Sequence, residues 1–311
     1  MTDHALVIGE ALVDVVVNPE GSRTSHPGGS LANVALGLGR LGRPVSLLTQ
    51  LADDAHGAAV AAHLHESHVT LAPGSISAEH TSVATATLDS TGAATYEFDL
   101  TWELNPDAVA AATASDAPPS IVHTGSIAAV LEPGAHDVAA IVEKLRDTAT
   151  VTYDPNARPT LMGEPADARV AVERMVALAD VVKVSDEDLE WLTQPGESIE
   201  DLAQQWLSAG PSLVVMTRGG DGATAFTNAL RVDVPAAPVT VADTVGAGDS
   251  FMGGLIDGLW DANLLGAERR EALRTVDEPV LTGILQQCIR IGAITVSRPG
   301  ANPPTRAELI N

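Results

Sequence analysis

The sequence predicts an α/β fold in which a doubly wound, mostly parallel β-sheet carries helices on both faces. Two observations support this prediction. From residue 121 onward, strand-like segments at 121–124, 151–153, 181–184 and 213–217 alternate with helix-like segments, and such alternation is typical of a parallel sheet covered by helices. The chain also has 311 residues, of which 45% are hydrophobic, and this is enough to bury a full core.

The N-terminal segments combine strands with one clear helix. Residues 5–17 form an apolar, β-branched run that predicts a first strand, and residues 22–26 predict a returning strand after a turn that contains proline and glycine. Residues 31–41 predict a helix, and residues 45–49 predict another strand.

The middle and the end of the chain continue this pattern. Two β-prone stretches, 81–88 and 94–100, flank the polar residues 89–92, which is a hairpin signal. Residues 115–119 are typical of a loop. Residues 276–296 predict a final helix that ends near a Pro-Gly pair.

The early strand pairs do not fit the alternation in the rest of the chain. We predict that the strands within about 12–26 and 81–100 form a small β-lid inserted in a single domain that spans residues 1–311. An extension at the edge of the main sheet is the alternative interpretation.

The composition excludes several classes of partner. The formal net charge is −24, from 41 acidic and 17 basic residues, and such a surface disfavours nucleic acids and anionic membranes. The single cysteine excludes an internal disulfide and favours a reducing compartment. The first residues carry no basic region before their apolar run, so we expect neither a signal peptide nor a membrane span, and we expect a cytoplasmic protein.

A glycine-rich run at residues 243–254, DTVGAGDSFMGG, opens a predicted helix whose apolar side chains recur every four residues from Phe251. Gly246 and Gly248 leave backbone N–H groups free at the helix N-terminus, which favours an anion. Asp249 would repel that anion unless it accepts a proton from a hydroxyl that attacks a phosphoryl group held by the amides. The run therefore predicts a phosphoryl-transfer site with a general base.

Other nucleotide-binding motifs do not explain this chain. Gly37, Gly39 and Gly42 spell GxGxxG, but they lie at the end of a predicted helix and not between a strand and a helix. We interpret Gly39 and Gly42 as helix-packing and C-cap residues. The sequence contains neither a Walker A loop nor the protein-kinase motifs.

Two separated motifs give the sequence a family resemblance. HPGGSLANVALGLGRLG at 26–42 and DTVGAGDSFMGGL at 243–255 occur in this order about two hundred residues apart, with YDPNAR, VKVSDEDLEWL and VVMTRGGDGA between them. The sequence resembles the ribokinase/PfkB superfamily of carbohydrate kinases over almost its whole length. This resemblance implies a ribokinase-like fold and an ATP-dependent sugar kinase.

The resemblance also implies roles for individual residues. Asp249 matches the catalytic base, and the residues that match the anion hole are Gly246, Ala247 and Gly248. The positions that match the sugar-binding residues are Asp14, Gly28, Gly29 and Asn33. Carboxylate and amide groups suit sugar hydroxyls, which both donate and accept hydrogen bonds. The positions that match the nucleotide-binding turn are Thr217, Gly219, Gly220 and Gly222.

Two further matches concern cations. Asp243 and the carbonyl of Val245 match a monovalent-cation site, which implies potassium. The family's NxxE pattern, which organises magnesium and phosphate, is replaced here by Ser185 and Asp188. The replacement keeps a neutral oxygen beside the nucleotide and a carboxylate that suits magnesium through water.

The branch of the family is indicated by Ser30, which stands where ribokinases typically carry a lysine. GGSLANVA is similar to the fructokinase branch, and so is DPNAR with Asn156 and Arg158. The same segment resembles 2-keto-3-deoxygluconate kinases, in which an arginine would suit a substrate carboxylate. The resemblance favours a fructokinase that uses ATP, Mg²⁺ and K⁺. The alternatives are a 2-keto-3-deoxygluconate kinase, a ribokinase, or a sugar-binding regulator without turnover.

A lid would exclude water from the phosphoryl group during transfer. Its strands would also expose unpaired edges, which a second copy of the chain would cover. We therefore expect a homodimer through the lid.

Overall fold

The computed structural model describes residues 3–89, 93–114 and 117–310, and their order of strands and helices follows the predicted alternation. The strands are β1 (Ala5–Ile8), β2 (Leu12–Val17), β3 (Arg23–Gly28), β4 (Val45–Leu48), β5 (Leu51–Ala52), β6 (Val69–Leu71), β7 (Ile76–Ala78), β8 (Val83–Leu88), β9 (Ala94–Asp99), β10 (Ile121–Gly125), β11 (Thr150–Asp154), β12 (Val181–Ser185), β13 (Leu213–Thr217), β14 (Ala223–Phe226) and β15 (Arg231–Val234).

The helices lie mostly between these strands. They are α1 (Ser30–Arg40), α2 (Ala55–Glu66), α3 (Pro106–Thr113), α4 (Gly134–Leu145), α5 (Pro159–Met162), α6 (Pro165–Val176), α7 (Asp186–Leu192), α8 (Ile199–Ala209), α9 (Ala247–Asp261), α10 (Arg270–Arg274), α11 (Glu278–Val296) and α12 (Arg306–Ile310). Short 3₁₀ turns occur at Ser126–Ala129, Gly219–Asp221 and Ala267–Arg269.

The main sheet has nine strands in the order β15-β14-β13-β12-β11-β10-β1-β4-β6. The strands from β13 to β6 run parallel to one another, and β14 and β15 add an antiparallel edge. Every residue of β1, β10 and β11 is buried. Because successive side chains of a strand point to opposite faces, this burial requires cover on both faces. The predicted α/β class is confirmed.

The parallel strands end at a common edge of this sheet. Gly125 at the end of β10 is paired with Asp154 at the end of β11, and Ser185 at the end of β12 is paired with Thr217 at the end of β13. The carboxyl edge of a parallel sheet is where ligands bind in open α/β folds. The segments that follow these strands therefore meet at one place.

A second sheet of four strands has the order β3-β2-β8-β9. The pairs β2/β3 and β8/β9 are antiparallel, and β2 pairs with β8 in parallel. The two early strand pairs thus form one sheet of their own and do not extend the edge of the main sheet. Its function as a lid stays a prediction. A third, two-stranded sheet joins β5 and β7.

The prediction of one continuous strand over residues 5–17 is wrong. Residues 5–17 divide at Gly9, Glu10 and Ala11, so that β1 enters the main sheet and β2 enters the second sheet. Apolar, β-branched composition favours a strand in both places, and it carries no signal for the point at which the chain passes from one sheet to the other.

Other boundaries differ by a few residues. The final helix begins at Glu278 because the Asp277 carboxylate caps it, accepting a hydrogen bond of 2.9 Å from the Val280 N–H. The predicted turn at 89–92 and loop at 115–119 lie partly outside the described residues, at 90–92 and 115–116.

The GxGxxG glycines have packing roles. Gly37 and Gly39 lie inside α1, and Gly42 follows it with a φ of +79°. A Cβ at Gly39 would clash with the carbonyl oxygen of Ser67, so close packing requires a glycine there. The interpretation as helix-packing and C-cap residues is confirmed, since the glycines do not open a helix after a strand.

Among the described residues, α11 is the one helix long and apolar enough to cross a membrane by length and composition. It packs along α9 and buries Leu281, Leu285 and Cys288. One third of its apolar window is buried, and a core helix of a protein without membrane spans can pass the same test of length and composition.

Candidate active site

Asp249 lies in the first turn of α9, at the carboxyl edge of the main sheet. Gly246 forms the N-cap in the left-handed conformation, with a φ of 72° and a ψ of 7°, and no side chain of the described residues caps this end. A Cβ at Gly246 would lie 2.6 Å from the Cβ of Ala301. Both the backbone conformation and the available space therefore require glycine. The Ala247 N–H donates to the Thr244 carbonyl at 3.2 Å, whereas the N–H groups of Gly246 and Gly248 have no hydrogen-bond partner among the described residues and stay available for an anion.

Three side chains hold the Asp249 carboxylate, which is only 7% exposed. The Ser30 hydroxyl donates to Oδ1 at 2.7 Å, and the Asn33 amide donates to Oδ2 at 2.8 Å. The Asn156 amide donates to Oδ1 at 3.3 Å and to the Ser30 hydroxyl oxygen at 2.7 Å. This arrangement fixes the orientation of the carboxylate, as a general base requires.

The backbone explains how these donors reach Asp249. Ser30 and Asn33 lie in the first turn of α1, directly after Gly29, whose φ is +104°. A Cβ at Gly29 would lie 2.5 Å from the carbonyl oxygen of Glu10, so a side chain does not fit. Asn156 follows β11 with a φ of +38°, a region that asparagine tolerates better than most residues.

Asp14 and Gly28 approach each other across the β2/β3 pair. A Cβ at Gly28 would clash with the Asp14 carboxylate, so glycine permits this close contact. Although the Asp14 side chain is exposed, partial loss of water raises its pKa, and the charges of His26 and Arg158 oppose this rise. Gly28 and Asn33 line one small cavity together with His63.

Arg158 lies near the same residues. Its guanidinium donates to the Asn156 carbonyl at 3.0 Å, to Asn156 Oδ1 at 2.8 Å and to the Ala157 carbonyl at 2.9 Å. These bonds leave the rest of an exposed guanidinium free to bind an anionic or hydroxylated ligand.

A buried ion pair between Lys183 and Asp154 lies beside the start of α9. The sequence motifs did not indicate this pair. Nζ and Oδ2 are 2.8 Å apart, and the side chains are 3% and 2% exposed. A Cβ at Gly248 would lie 3.0 Å from the Lys183 Nζ, so the ammonium borders the predicted anion hole. A lysine inside the apolar strand VVKV, in a chain with two lysines, was the available signal.

The charges in this pair are set by competing effects. Burial lowers the pKa of Lys183, but the nearby carboxylates of Asp154, Asp188 and Asp249 outweigh burial and raise it. Burial raises the pKa of Asp154 to about 6, against the charge of Lys183. We therefore assign a charged Lys183, because three carboxylates surround one ammonium.

Ser185 and Asp188 connect the predicted nucleotide site to the Asp249 network. The Ser185 hydroxyl caps α7 by accepting from the Asp188 N–H at 3.0 Å. Asp188 Oδ1 accepts from the Ala157 N–H at 3.1 Å. The carboxylate therefore lies against the segment that also carries Asn156, and it is a suitable hard ligand for magnesium.

The predicted nucleotide turn lies farther along the same sheet edge. Thr217 ends β13, and the 3₁₀ turn Gly219–Asp221 follows it. Gly219 has a φ of +46°, and the spaces beside Gly219 and Gly220 are open to a distance of 4 Å. A Cβ at Gly222, whose φ is +99°, would clash with the Val234 carbonyl. The turn thus exposes backbone that a phosphate or a base can approach.

Asp243 holds the loop that enters α9. Its Oδ1 accepts from the Val245 N–H at 3.0 Å, and its Oδ2 accepts from the Gly300 N–H at 2.8 Å. These backbone bonds, that of Val245 first, lower the pKa of the carboxyl. Among the described residues there is no group of three or more His, Cys, Asp or Glu side chains placed to hold a metal.

Comparisons with known proteins identify the family of the chain. A family model described as pfkB family carbohydrate kinase matches residues 2–306. A fructokinase from Rhizobium leguminosarum bv. trifolii is 34% identical over 285 residues, which cover 89% of this chain and 85% of that protein. A fructokinase from Klebsiella pneumoniae is 33% identical over 265 residues, which cover 83% and 85%.

Solved structures show the same fold. The crystal structure of a fructokinase from Xylella fastidiosa with bound ATP has a TM-score of 0.85 at 23% identity and covers 100% of this chain and 98% of that chain. A double mutant of a fructokinase from Vibrio cholerae O395, solved with fructose, ADP and a potassium ion, has a TM-score of 0.78 at 25% identity and covers 99% and 97%.

Proposed function

Since the chain belongs to the pfkB family of carbohydrate kinases, we propose that this sugar kinase is a fructokinase, which transfers the γ-phosphoryl group of ATP to a hydroxyl of fructose. The observation that carries the proposal is the buried Asp249 carboxylate, held by Ser30, Asn33 and Asn156 at an uncapped helix N-terminus. The names of the curated relatives support fructose as the substrate.

The proposed reaction is a direct in-line transfer. Asp249 accepts the proton of the attacking sugar hydroxyl, whose oxygen forms a bond to the γ-phosphorus as the bond to the leaving ADP oxygen breaks. The N–H groups of Gly246, Ala247 and Gly248 stabilise the negative charge on the transferred group, and the Lys183 ammonium beside Gly248 adds a positive charge.

The sugar would lie between the second sheet and α1. The residues proposed to bind it are Asp14, Gly28, Gly29, Asn33, Asn156 and Arg158. Support comes from their arrangement: Asp14 approaches Gly28 closely, Asn33 and Asn156 both contact Asp249, and Arg158 faces Asp14. Carboxylate, amide and guanidinium groups together match the donors and acceptors of a polyhydroxylated ligand.

The nucleotide would occupy the open turn after β13. The residues proposed to bind it are Ser185, Thr217, Gly219, Gly220 and Gly222. Asp188 would hold Mg²⁺ through water, and the ion would supply positive charge for the nucleotide phosphates. The Asp188 carboxylate suits this role because it lies between Ser185 and the segment that carries Asn156.

A monovalent cation, K⁺, is proposed at Asp243 and the Val245 carbonyl. The Asp243 carboxylate already orders the loop before Gly246, and one similar structure contains a potassium ion. The cation would orient the backbone of the anion hole without contacting the sugar.

We also propose a cytoplasmic enzyme organised as a single domain over residues 1–311, with lid strands within about 12–26 and 81–100. The acidic surface disfavours nucleic acids and membranes as partners. A homodimer through the lid is supported by Tyr96 and Phe98 on β9, which stack with 6.2 Å between ring centroids and are 62% and 38% exposed.

A 2-keto-3-deoxygluconate kinase is the second candidate, because the exposed Arg158 guanidinium would suit a substrate carboxylate. A ribokinase and a regulator without turnover are weaker alternatives. Ser30 replaces the lysine typical of ribokinases, and a regulator would not need the Asp249 network.

The test is a coupled assay of ADP release with ATP and magnesium on fructose, ribose and 2-keto-3-deoxygluconate, with and without potassium. Turnover on fructose with kcat/KM well above the other sugars is the expected result. Preferred turnover on another sugar would reassign the substrate. Absence of ADP release with a sugar-induced rise in Tm would support the regulator instead.

A further inference from the structure

Glu10 is a buried carboxyl that the proposed mechanism does not use. It lies between β1 and β2, where the chain passes from the main sheet to the second sheet, and it is 7% exposed. Burial raises its pKa to about 7, against the opposing effects of the Ser126 hydroxyl and the Arg158 charge. Burial of a carboxyl group costs free energy, so the position of Glu10 requires a compensating interaction.

The contact that Glu10 makes is with the start of α1. Its Oε1 accepts a hydrogen bond of 3.2 Å from the backbone N–H of Ser30, the first residue of that helix. Its Oε2 has no hydrogen-bond partner among the described residues. The Ser126 hydroxyl also interacts with this carboxyl and lowers its pKa. The bond to the Ser30 N–H ends on the residue whose hydroxyl donates to Asp249 at 2.7 Å.

The N-terminus of α1 has no capping side chain at its N-cap position, so a hydrogen-bond acceptor for its free N–H groups comes from another segment of the chain. Its N-cap is Gly29, which has no side chain to cap the free N–H groups. A side chain at Gly29 does not fit, because its Cβ would lie 2.5 Å from the carbonyl oxygen of Glu10. The Glu10 backbone thus leaves no space for a side chain at Gly29, and the Glu10 carboxyl accepts the hydrogen bond that a capping side chain would otherwise accept.

We propose that Glu10 is a positioning residue for phosphoryl transfer, because it anchors the Ser30 backbone and thereby fixes the Ser30 hydroxyl on Asp249. Three bonds separate the Ser30 nitrogen from its hydroxyl oxygen, so a fixed N–H limits where the hydroxyl can point. That hydroxyl also accepts from the Asn156 amide at 2.7 Å. A shift of the Ser30 backbone would therefore disturb two of the three side chains that hold Asp249.

The groups that face Glu10 are consistent with an anchor. Ser126 comes from the 3₁₀ turn after β10, Arg158 comes from the segment after β11, and Ser30 comes from α1. The N–H acceptor Oε1 keeps its lone pairs whether Oε2 carries a proton or not. The anchor therefore depends on the reach of the side chain and not on its charge.

Two conservative substitutions of Glu10 distinguish the effect of side-chain length from the effect of side-chain charge. Glu10→Gln keeps the length and an acceptor oxygen but removes the charge, whereas Glu10→Asp keeps the charge but shortens the side chain by one methylene. An anchor predicts that E10Q retains kcat within about twofold and that E10D lowers kcat about tenfold, which corresponds to the loss of about one hydrogen bond. KM for ATP should stay unchanged in both variants.

A double-mutant cycle tests the path through Ser30. Ser30→Ala alone should lower kcat about tenfold, and the E10D/S30A double variant should be no slower than the slower single variant. Multiplication of the two losses would overturn the proposal, because it would mean that Glu10 acts independently of Ser30. Retention of wild-type kcat by E10D, or loss of kcat by E10Q, would also overturn it.

Two controls accompany these rates. Tm is measured for each variant, and a lowered Tm with unchanged kcat in E10D would indicate a purely structural role, against the proposal. The inference rests on the proposed kinase function, so wild-type turnover on fructose is measured in the same assay. An inactive wild type contradicts the proposed function, whereas an active wild type with an equally active E10D contradicts only the role of Glu10.

Discussion

Lys183 and Asp154 form an almost fully buried ion pair, with 2.8 Å between Nζ and Oδ2, at the edge of the sheet where the predicted anion hole lies. The two residues end up adjacent because β11 and β12 are neighbours in the sheet. The pair places the one strongly buried ammonium among the described residues against three carboxylates. The charge balance of this pair therefore contributes to the electrostatic potential at the predicted anion hole.

Removal of the Lys183 charge should destabilise the fold. Lys183→Met leaves the Asp154 carboxylate buried without its counter-charge, with the Asn156 N–H as a remaining hydrogen-bond donor. Loss of one member of a buried ion pair costs about 3–5 kcal/mol. Urea unfolding measures the loss. The double variant K183M/D154N should recover most of the lost stability, because neither charge remains.

Lys144→Met, at the other lysine of the chain, is the matched control on an exposed face of α4 and should change stability by less than about 0.5 kcal/mol. A K183M variant as stable as the wild type would contradict the assignment of a charged Lys183.

Loss of the Asp249 carboxylate should remove turnover without removing sugar binding. Asp249→Ala is expected to lower kcat by at least about 10²-fold, the low end for loss of a general base. Steady-state ADP release and calorimetric titration with fructose measure the two quantities. Asp261→Asn changes an exposed aspartate at the other end of the same helix and should leave kcat unchanged. Near-normal turnover of D249A would refute the role of Asp249 as base.

The pH dependence of stability should report the buried Glu10 carboxyl. Its pKa rises from 4.5 to about 7 in the folded protein, so folding favours the protonated form. This contribution is fully present below about pH 4.5 and is lost as the pH rises through about 7. At 1.36 kcal/mol per pKa unit, the loss amounts to at most about 3 kcal/mol.

The comparison of wild type with Glu10→Gln isolates this effect, since Asp154 also has a raised pKa and contributes equally to both proteins. Urea unfolding from pH 4.5 to 8 should show the wild type losing stability relative to E10Q, with a constant difference above about pH 7.5. Parallel curves over the whole range would mean that the Glu10 pKa is not raised.

A Cβ at Gly29 should be far more costly than a Cβ at another glycine of positive φ. Gly29→Ala combines a φ of +104° with a clash against the Glu10 carbonyl, whereas Gly21 has a φ of +79° and open space around it. G21A should cost about 1 kcal/mol and G29A at least about 3 kcal/mol of unfolding free energy. G29A should also lower kcat, because it displaces Ser30, and G21A should not. Equal costs for both variants would show that the backbone at Gly29 relaxes freely.

Much of the site was predictable because its signals are local. The run at 243–254 predicts a glycine-rich turn at Gly246 and Gly248 followed by a carboxylate at the start of a helix, since these depend only on neighbouring residues. The motif at 26–42 places Ser30 and Asn33 at the start of α1 for the same reason. The family resemblance added roles for these residues, which geometry alone does not assign.

Other parts of the fold were beyond the reach of local patterns. Residues 5–17 divide between two sheets, and β2 pairs with β8, some seventy residues away, in a parallel register. Apolar, β-branched composition favours a strand in either sheet, so it identifies strands but not their neighbours. The sequence predicts that the two early strand pairs share one small lid, but it does not predict that β2 and β8 join them.

The sequence by itself determined the α/β class, the position of Asp249 near the start of a helix and the glycines before it, because each of these is set by residues close together in the chain. Only the tertiary structure decided that the Ser30 hydroxyl contacts Asp249 across 219 positions, that Lys183 pairs with Asp154, and that Glu10 anchors Ser30. Such contacts follow from the order of strands in the sheet, which is fixed by packing of the whole chain. Their energies depend on burial, which no single segment encodes.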